Sequence, residues 1–125
     1  MTALEQLERQ QYLNLETFRK SGESMKTPVW FVKEAEKLYI RTIDGSGKVK
    51  RIHNNGHVKV AACKVDGTLL SEWMPAQARH VKEPDVDKEV ARLINKKYGL
   101  MGILLSINSR LRHTRHAILE IKLIE

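Results

Sequence analysis

The residues best suited to chemistry lie together in the segment D-G-S-G-K-V-K-R, residues 44–51. Gly45 and Gly47 free the backbone to turn sharply and to approach a ligand closely. The spacing predicts a short helix from about Lys48 to Asn55, closed by Gly56. Its unpaired N–H groups would face the turn, and helix N-termini attract anions. Ser46 adds a hydroxyl donor, and Lys48, Lys50 and Arg51 add positive charge. Lys48 and Arg51, three apart, share a face. The segment reads as a phosphate-gripping turn or as an ordinary solvated helix start; the G-x-x-x-x-G-K-[ST] spacing of a Walker A loop is absent.

A second group is Lys26-Thr27-Pro28-Val29-Trp30. Proline removes a ladder hydrogen bond, so Pro28 belongs at a sheet edge or beside something that is not a strand. Trp30 next to it either packs under a flat ring or fills the core. Farther on, Trp73 and Arg79 fall on one face of an expected strand and are candidates to reach a substrate, with packing the alternative. His53 and His57 have no carboxylate at metal-ligand spacing, and His113 and His116 stand at the mouth of a strand. Their expected roles are at the surface or a cofactor edge, and no metal site is expected. The single cysteine, Cys63, lies in the apolar run Val60-Ala-Ala-Cys and reads as a small buried hydrophobe.

The charge balance supports an anionic partner. The chain has 22 Lys+Arg against 15 Asp+Glu, a net charge of +7. The excess is local: residues 41–64 carry six Lys/Arg, two His and one acid, Asp44. Trp30, Phe31, Tyr39 and Trp73 are not interleaved with these cations, which argues against a nucleic-acid stacking platform. The longest apolar run, residues 100–105, is far short of the roughly 20 needed to span a bilayer. The N-terminal stretch carries acids where a signal peptide needs an apolar core, so a cytoplasmic protein without membrane contact is expected.

The elements that would position these residues are mostly strands. Leu4 and Leu7 suggest a short amphipathic helix. Alternation from Tyr12 puts Leu13, Leu15 and Thr17 on one face of a first strand. A turn at 20–24 leads to a second strand over 25–33, and a turn at 34–37 to a third over 38–43, which carries Thr42. The fourth strand covers 57–65, and Asp66-Gly67 signals a hairpin. A long fifth strand follows over 68–81, with Pro75 at a bulge or edge. Residues 85–112 switch to helical spacing, divided at Gly99 and Gly102, and 116–125 alternate again as a sixth strand. At 125 residues, this composition predicts a single domain, residues 1–125, with a mainly β fold: a six-stranded antiparallel barrel with helical cover.

Taken together, T-P-V-W-F-V, L-Y-I-R-T and S-G-K-V-K-R-I-x-N-N-x-x-V resemble the pyridoxamine 5'-phosphate oxidase-like split-barrel family, and most of all its coenzyme F-420-dependent branch. The resemblance runs from about Tyr12 to Val81, with Lys97-Tyr-Gly99 also familiar. It implies an FMN-binding type of split barrel that forms a homodimer, with cofactor sites at the interface. It further implies a flavin or deazaflavin oxidoreductase that moves hydride between F-420, or alternatively FMN, and a small organic acceptor. The strand from Lys26 to Phe31 would lie along the ring. Thr42, Ser46 and Lys48 match phosphate-holding positions, with Gly47 as a backbone donor and Lys50 and Arg51 nearby. No side chain is assigned a catalytic role, because orientation and electrostatics suffice for hydride transfer. Two departures stand out: Gly47 occupies a position where the oxidases place arginine, and His53 and Gly56 replace the Arg and Pro common in the branch. The same fold also serves non-catalytic carriers of flavin, haem or tetrapyrrole.

Overall fold

The computed structural model describes residues 2–99 and 116–124. Among the described residues three helices, α1 (Ala3–Glu8), α2 (Gly47–Asn54) and α3 (Pro84–Tyr98), accompany seven strands. These are β1 (Tyr12–Phe18), β2 (Ser24–Val29), β3 (Val32–Glu34), β4 (Lys37–Ile43), β5 (His57–Cys63), β6 (Met74–Val81) and β7 (His116–Leu123). All seven belong to one antiparallel sheet in the order β2-β1-β5-β6-β7-β4-β3. The architecture is the expected mainly β split barrel, with seven strands where six were predicted.

The difference lies at residues 25–33, which read as one strand and form two. The two edges of the sheet, β2 and β3, are consecutive in the chain, joined only by Trp30 and Phe31. The barrel is therefore closed across this seam by covalent chain rather than by a ladder of hydrogen bonds. Pro28 lies in the edge strand β2, where its missing N–H costs least.

Strand alternation separates two apolar layers. The barrel interior takes Leu13, Leu15, Leu38, Ile40, Val58, Val60, Leu119 and Ile121. Val49 and Ile52 of α2 and Leu7 of α1 join them. An eight-residue helix is marginal alone, so the two buried side chains fix α2 in place, each contributing roughly 1.5–3 kcal/mol. Outside the barrel, Val90 and Ile94 of α3 pack on Val32, Val81 and Ile118.

Two further boundaries differ from the sequence reading. The long strand expected over 68–81 starts only at Met74. Asp66-Gly67 does make the turn, with the Gly67 amide donating to Lys64 O at 2.9 Å. The returning arm, however, keeps only a Cys63–Leu69 bridge, and Ser71 Oγ accepts from the Ala62 amide at 2.9 Å in place of a backbone carbonyl. Pro75 therefore sits near the start of an interior strand rather than at a bulge or edge. The helix expected over 85–112 runs from Pro84 to Tyr98; residues 100–115, with Gly102 and, beyond the expected helix, His113, lie outside the described residues.

Candidate functional site

The first turn of α2 collects donors that nothing among the described residues uses. Ser46 is its N-cap, with φ −65° and ψ 162°. An N-cap serine ordinarily accepts from an amide one turn on. Here the hydroxyl makes no capping bond, and Oγ is buried without a partner among the described residues. The Lys50 amide reaches Ser46 O at 3.2 Å, so the amides of Gly47, Lys48 and Val49 remain available at the positive end of the helix.

Arg51 returns to this turn from one turn later. Its Nε donates to Thr17 Oγ1 at 2.6 Å. A Cβ built on Gly47 would sit 2.6 Å from Arg51 Nη1 and 3.4 Å from Cζ, so the guanidinium lies against Gly47. Burial lowers the pKa of Lys48, helped by Arg51, and burial with nearby Arg19 lowers that of Arg51. Like charges are thus held close together, and among the described residues none of the three has an acidic ion-pair partner. That arrangement favours an anion. The donor set of one hydroxyl, three amides, a guanidinium and an ammonium fits a phosphate.

The other expected site residues divide. Lys50 is exposed. Thr42 pairs with Ala117 on β7, and no hydrogen bond joins it to residues 46–51 among the described residues. Leu15 and Thr27 are register partners, as are Leu13 and Val29, so Thr27 and Val29 face the interior. Lys26 and Pro28, opposite Glu16 and Asn14, face outward. Trp73 lies before β6 begins, so it shares no strand face with Arg79, contrary to the alternation argument. It meets Lys26 instead, whose Nζ is 5.7 Å from the ring centroid. Arg79 binds Glu120 with Nε at 2.8 Å and Nη2 at 3.2 Å, and Lys37 and Tyr39 share that carboxylate.

The seam is latched by α3. Trp30 stacks on Tyr98, with centroids 4.2 Å apart and planes 7° from parallel, which covers one face of the indole. Phe31 N–H donates to Tyr98 Oη at 3.0 Å, and Lys97 Nζ donates to Phe31 O at 3.0 Å. Lys97 Nζ also lies 3.6 Å from the Phe31 ring centroid. Burial lowers the Lys97 pKa to about 8 and pushes the Tyr98 phenol up to about 12.

The histidines are placed unevenly. His53 Nε2 and His80 Nδ1 approach to 3.0 Å, tying the last turn of α2 to β6. Together with His116 and Asp44 they line a cleft of about 540 Å³. Among the described residues no group of three or more His, Cys, Asp or Glu is arranged to hold a metal. Cys63 is buried as expected, and burial raises its thiol pKa. No helix among the described residues is long and apolar enough to cross a membrane.

Thr17 and Arg19 were not among the predicted site residues. Thr17 alternates like any core-facing strand position, and only the placement of α2 against β1 reveals its partner.

Several known structures share this fold. A conserved protein from Mycobacterium tuberculosis matches at 15% identity over 100% of this chain and 82% of its own, with a TM-score of 0.74. The haem storage protein HutZ from Vibrio cholerae matches at 13% identity over 98% and 88%, with a TM-score of 0.73. An F420 reductase matches at 17% identity over 95% and 90%, with a TM-score of 0.61. No curated protein sequence matches this one. The family profile described as pyridoxamine 5'-phosphate oxidase matches residues 2–124. The chain belongs to the pyridoxamine 5'-phosphate oxidase family.

Proposed function

We propose that this protein is a flavin- or deazaflavin-dependent oxidoreductase that holds F-420, or alternatively FMN, by its phosphate. The observation that carries the reading is the donor set at the start of α2, where Ser46 Oγ is unpartnered and Lys48 and Arg51 lie close together with no acidic partner among the described residues. Ser46, Gly47, Lys48 and Arg51 would grip the phosphate, with Lys50 and Thr42 at the periphery. Lys26 and Pro28 would present the outer face of β2 to the ring, with Trp30 held at the seam end of that strand and Thr27 and Val29 supporting it from within. Trp73, beside Lys26, would border a small organic acceptor, and Arg79 would lie farther along β6. Bound there, the cofactor supplies hydride transfer at its ring, and the chain supplies orientation and electrostatics. The likeness to an F420 reductase fits this choice loosely. The working unit is a homodimer of single split-barrel domains in the cytoplasm.

The likeness to a haem storage protein favours a second reading, a carrier that binds without turnover. The two separate on one experiment. Reduced F-420 or reduced FMN is mixed with the protein and an electron acceptor, and ring reoxidation is followed optically. Protein-dependent, saturable reoxidation supports the enzyme. Tight haem binding with no reoxidation supports the carrier.

A further inference from the structure

We propose that Thr17 is a positioning residue for the anion clamp: it holds Arg51 by Nε so that the free edge of the guanidinium lies against the first turn of α2. The proposal rests on the reading above that this turn binds a phosphate. Thr17 is 1% exposed, near the end of β1, on the face that carries Leu13 and Leu15 into the barrel. A hydroxyl so enclosed needs a partner, and it accepts from the Nε of Arg51 at 2.6 Å. A bond from Nε is the one that orients a guanidinium without consuming its outer fork. Nη1 and Nη2 stay available, and two parallel N–H groups match a phosphate edge.

Gly47 completes the device. A side chain there would meet Nη1 at 2.6 Å and force the guanidinium aside. The glycine therefore provides clearance, and this need is independent of backbone freedom. Arg19 adds positive charge nearby, which disfavours any closer approach of Arg51 to it. Thr17 pairs with Met25, so Arg51 is anchored on the inward face of the β1–β2 pair.

The test compares each phosphate-bearing ring with the same ring lacking its phosphate tail, FMN against riboflavin and F-420 against its bare deazaflavin core. Affinities are measured by ring fluorescence for the wild type and for Thr17→Val, Thr17→Ser, Gly47→Ala and Arg51→Met. Thr17→Val preserves shape in the core, and Thr17→Ser restores the hydroxyl. Thr17→Val and Gly47→Ala are expected to lower the affinity ratio of phosphorylated to bare ring about tenfold, the scale of one charge-assisted hydrogen bond. Thr17→Ser should stay within about twofold of wild type on the same scale. A merely structural role would weaken both rings alike and leave the ratio unmoved, which overturns the proposal. If Arg51→Met lowers the ratio and Thr17→Val does not, the phosphate site stands and the positioning role is refuted. If the wild type shows no preference for any phosphorylated ring, the reading of the site fails and this inference with it.

Discussion

Replacing Tyr98 by Phe tests whether the barrel seam is held by α3. The hydroxyl accepts from Phe31 N–H at 3.0 Å and lies 2.8 Å from Gln11 O and 3.0 Å from Phe31 O. It has one proton to share between two carbonyls. Removing it leaves the Phe31 amide without a partner at a residue whose exposure is 0%. Lys97 still satisfies Phe31 O, the exposed Gln11 can turn its carbonyl to water, and a phenyl ring still stacks on Trp30, so the main loss is the orphaned donor. An unpaired buried amide costs about 1–3 kcal/mol, and we take about 2 kcal/mol as the expected loss. That is a large share of the roughly 5–15 kcal/mol typical of a domain. Urea unfolding at fixed protein concentration, followed by tryptophan fluorescence, should show a lower midpoint at unchanged slope. Tyr98→Ala, which also removes the stack, should lose about 0.5–1.5 kcal/mol more from that aromatic pair alone. If Tyr98→Phe changes stability by less than about 0.5 kcal/mol, the scale of an inconsequential surface substitution, the latch is not what closes the seam.

The same latch makes stability depend on pH in the alkaline range. Lys97 has a folded pKa of about 8 against an ordinary 10.5, so between these values the unfolded chain binds the extra proton and stability rises with pH. The raised phenol of Tyr98 acts oppositely above its ordinary value of 10.0, which confines the useful window to about pH 8–10. The stability difference between wild type and Lys97→Met should grow across that window in urea titrations, and a flat difference would contradict the buried ammonium. At the anion clamp, Lys48→Ala should weaken binding of a phosphate-bearing ring about tenfold or more while leaving the bare ring within about twofold, because the lost contact is ionic.

Much of this was legible in the chain because local signals and tertiary structure agreed. The alternation of Leu13, Leu15 and Thr17, the β-branched run of β4 and the Asp66-Gly67 turn each carry their own physical cause. The turn leading into α2 was legible for the same reason, since glycines, hydroxyl and cations lie within eight residues. The seam was not. T-P-V-W-F-V-K reads as continuous strand, and what breaks it comes from Lys97 and Tyr98, some 66–67 positions away. Thr17 was hidden likewise, because an inward-facing threonine looks the same whether or not a guanidinium reaches it. Trp73 was misplaced because Ser71 substitutes for a backbone partner, and no alternation pattern records that exchange.

The central claim is that residues 46–51 grip the phosphate of a flavin-like cofactor. Its most direct test is a paired titration of the wild-type protein with F-420 and FMN, each set against its phosphate-free ring, read by ring absorbance or fluorescence. The account predicts that at least one phosphorylated cofactor saturates the protein and binds at least about tenfold tighter than its bare ring, with F-420 the stronger of the two. Equal affinity for phosphorylated and bare rings, or saturation by neither cofactor, would contradict it.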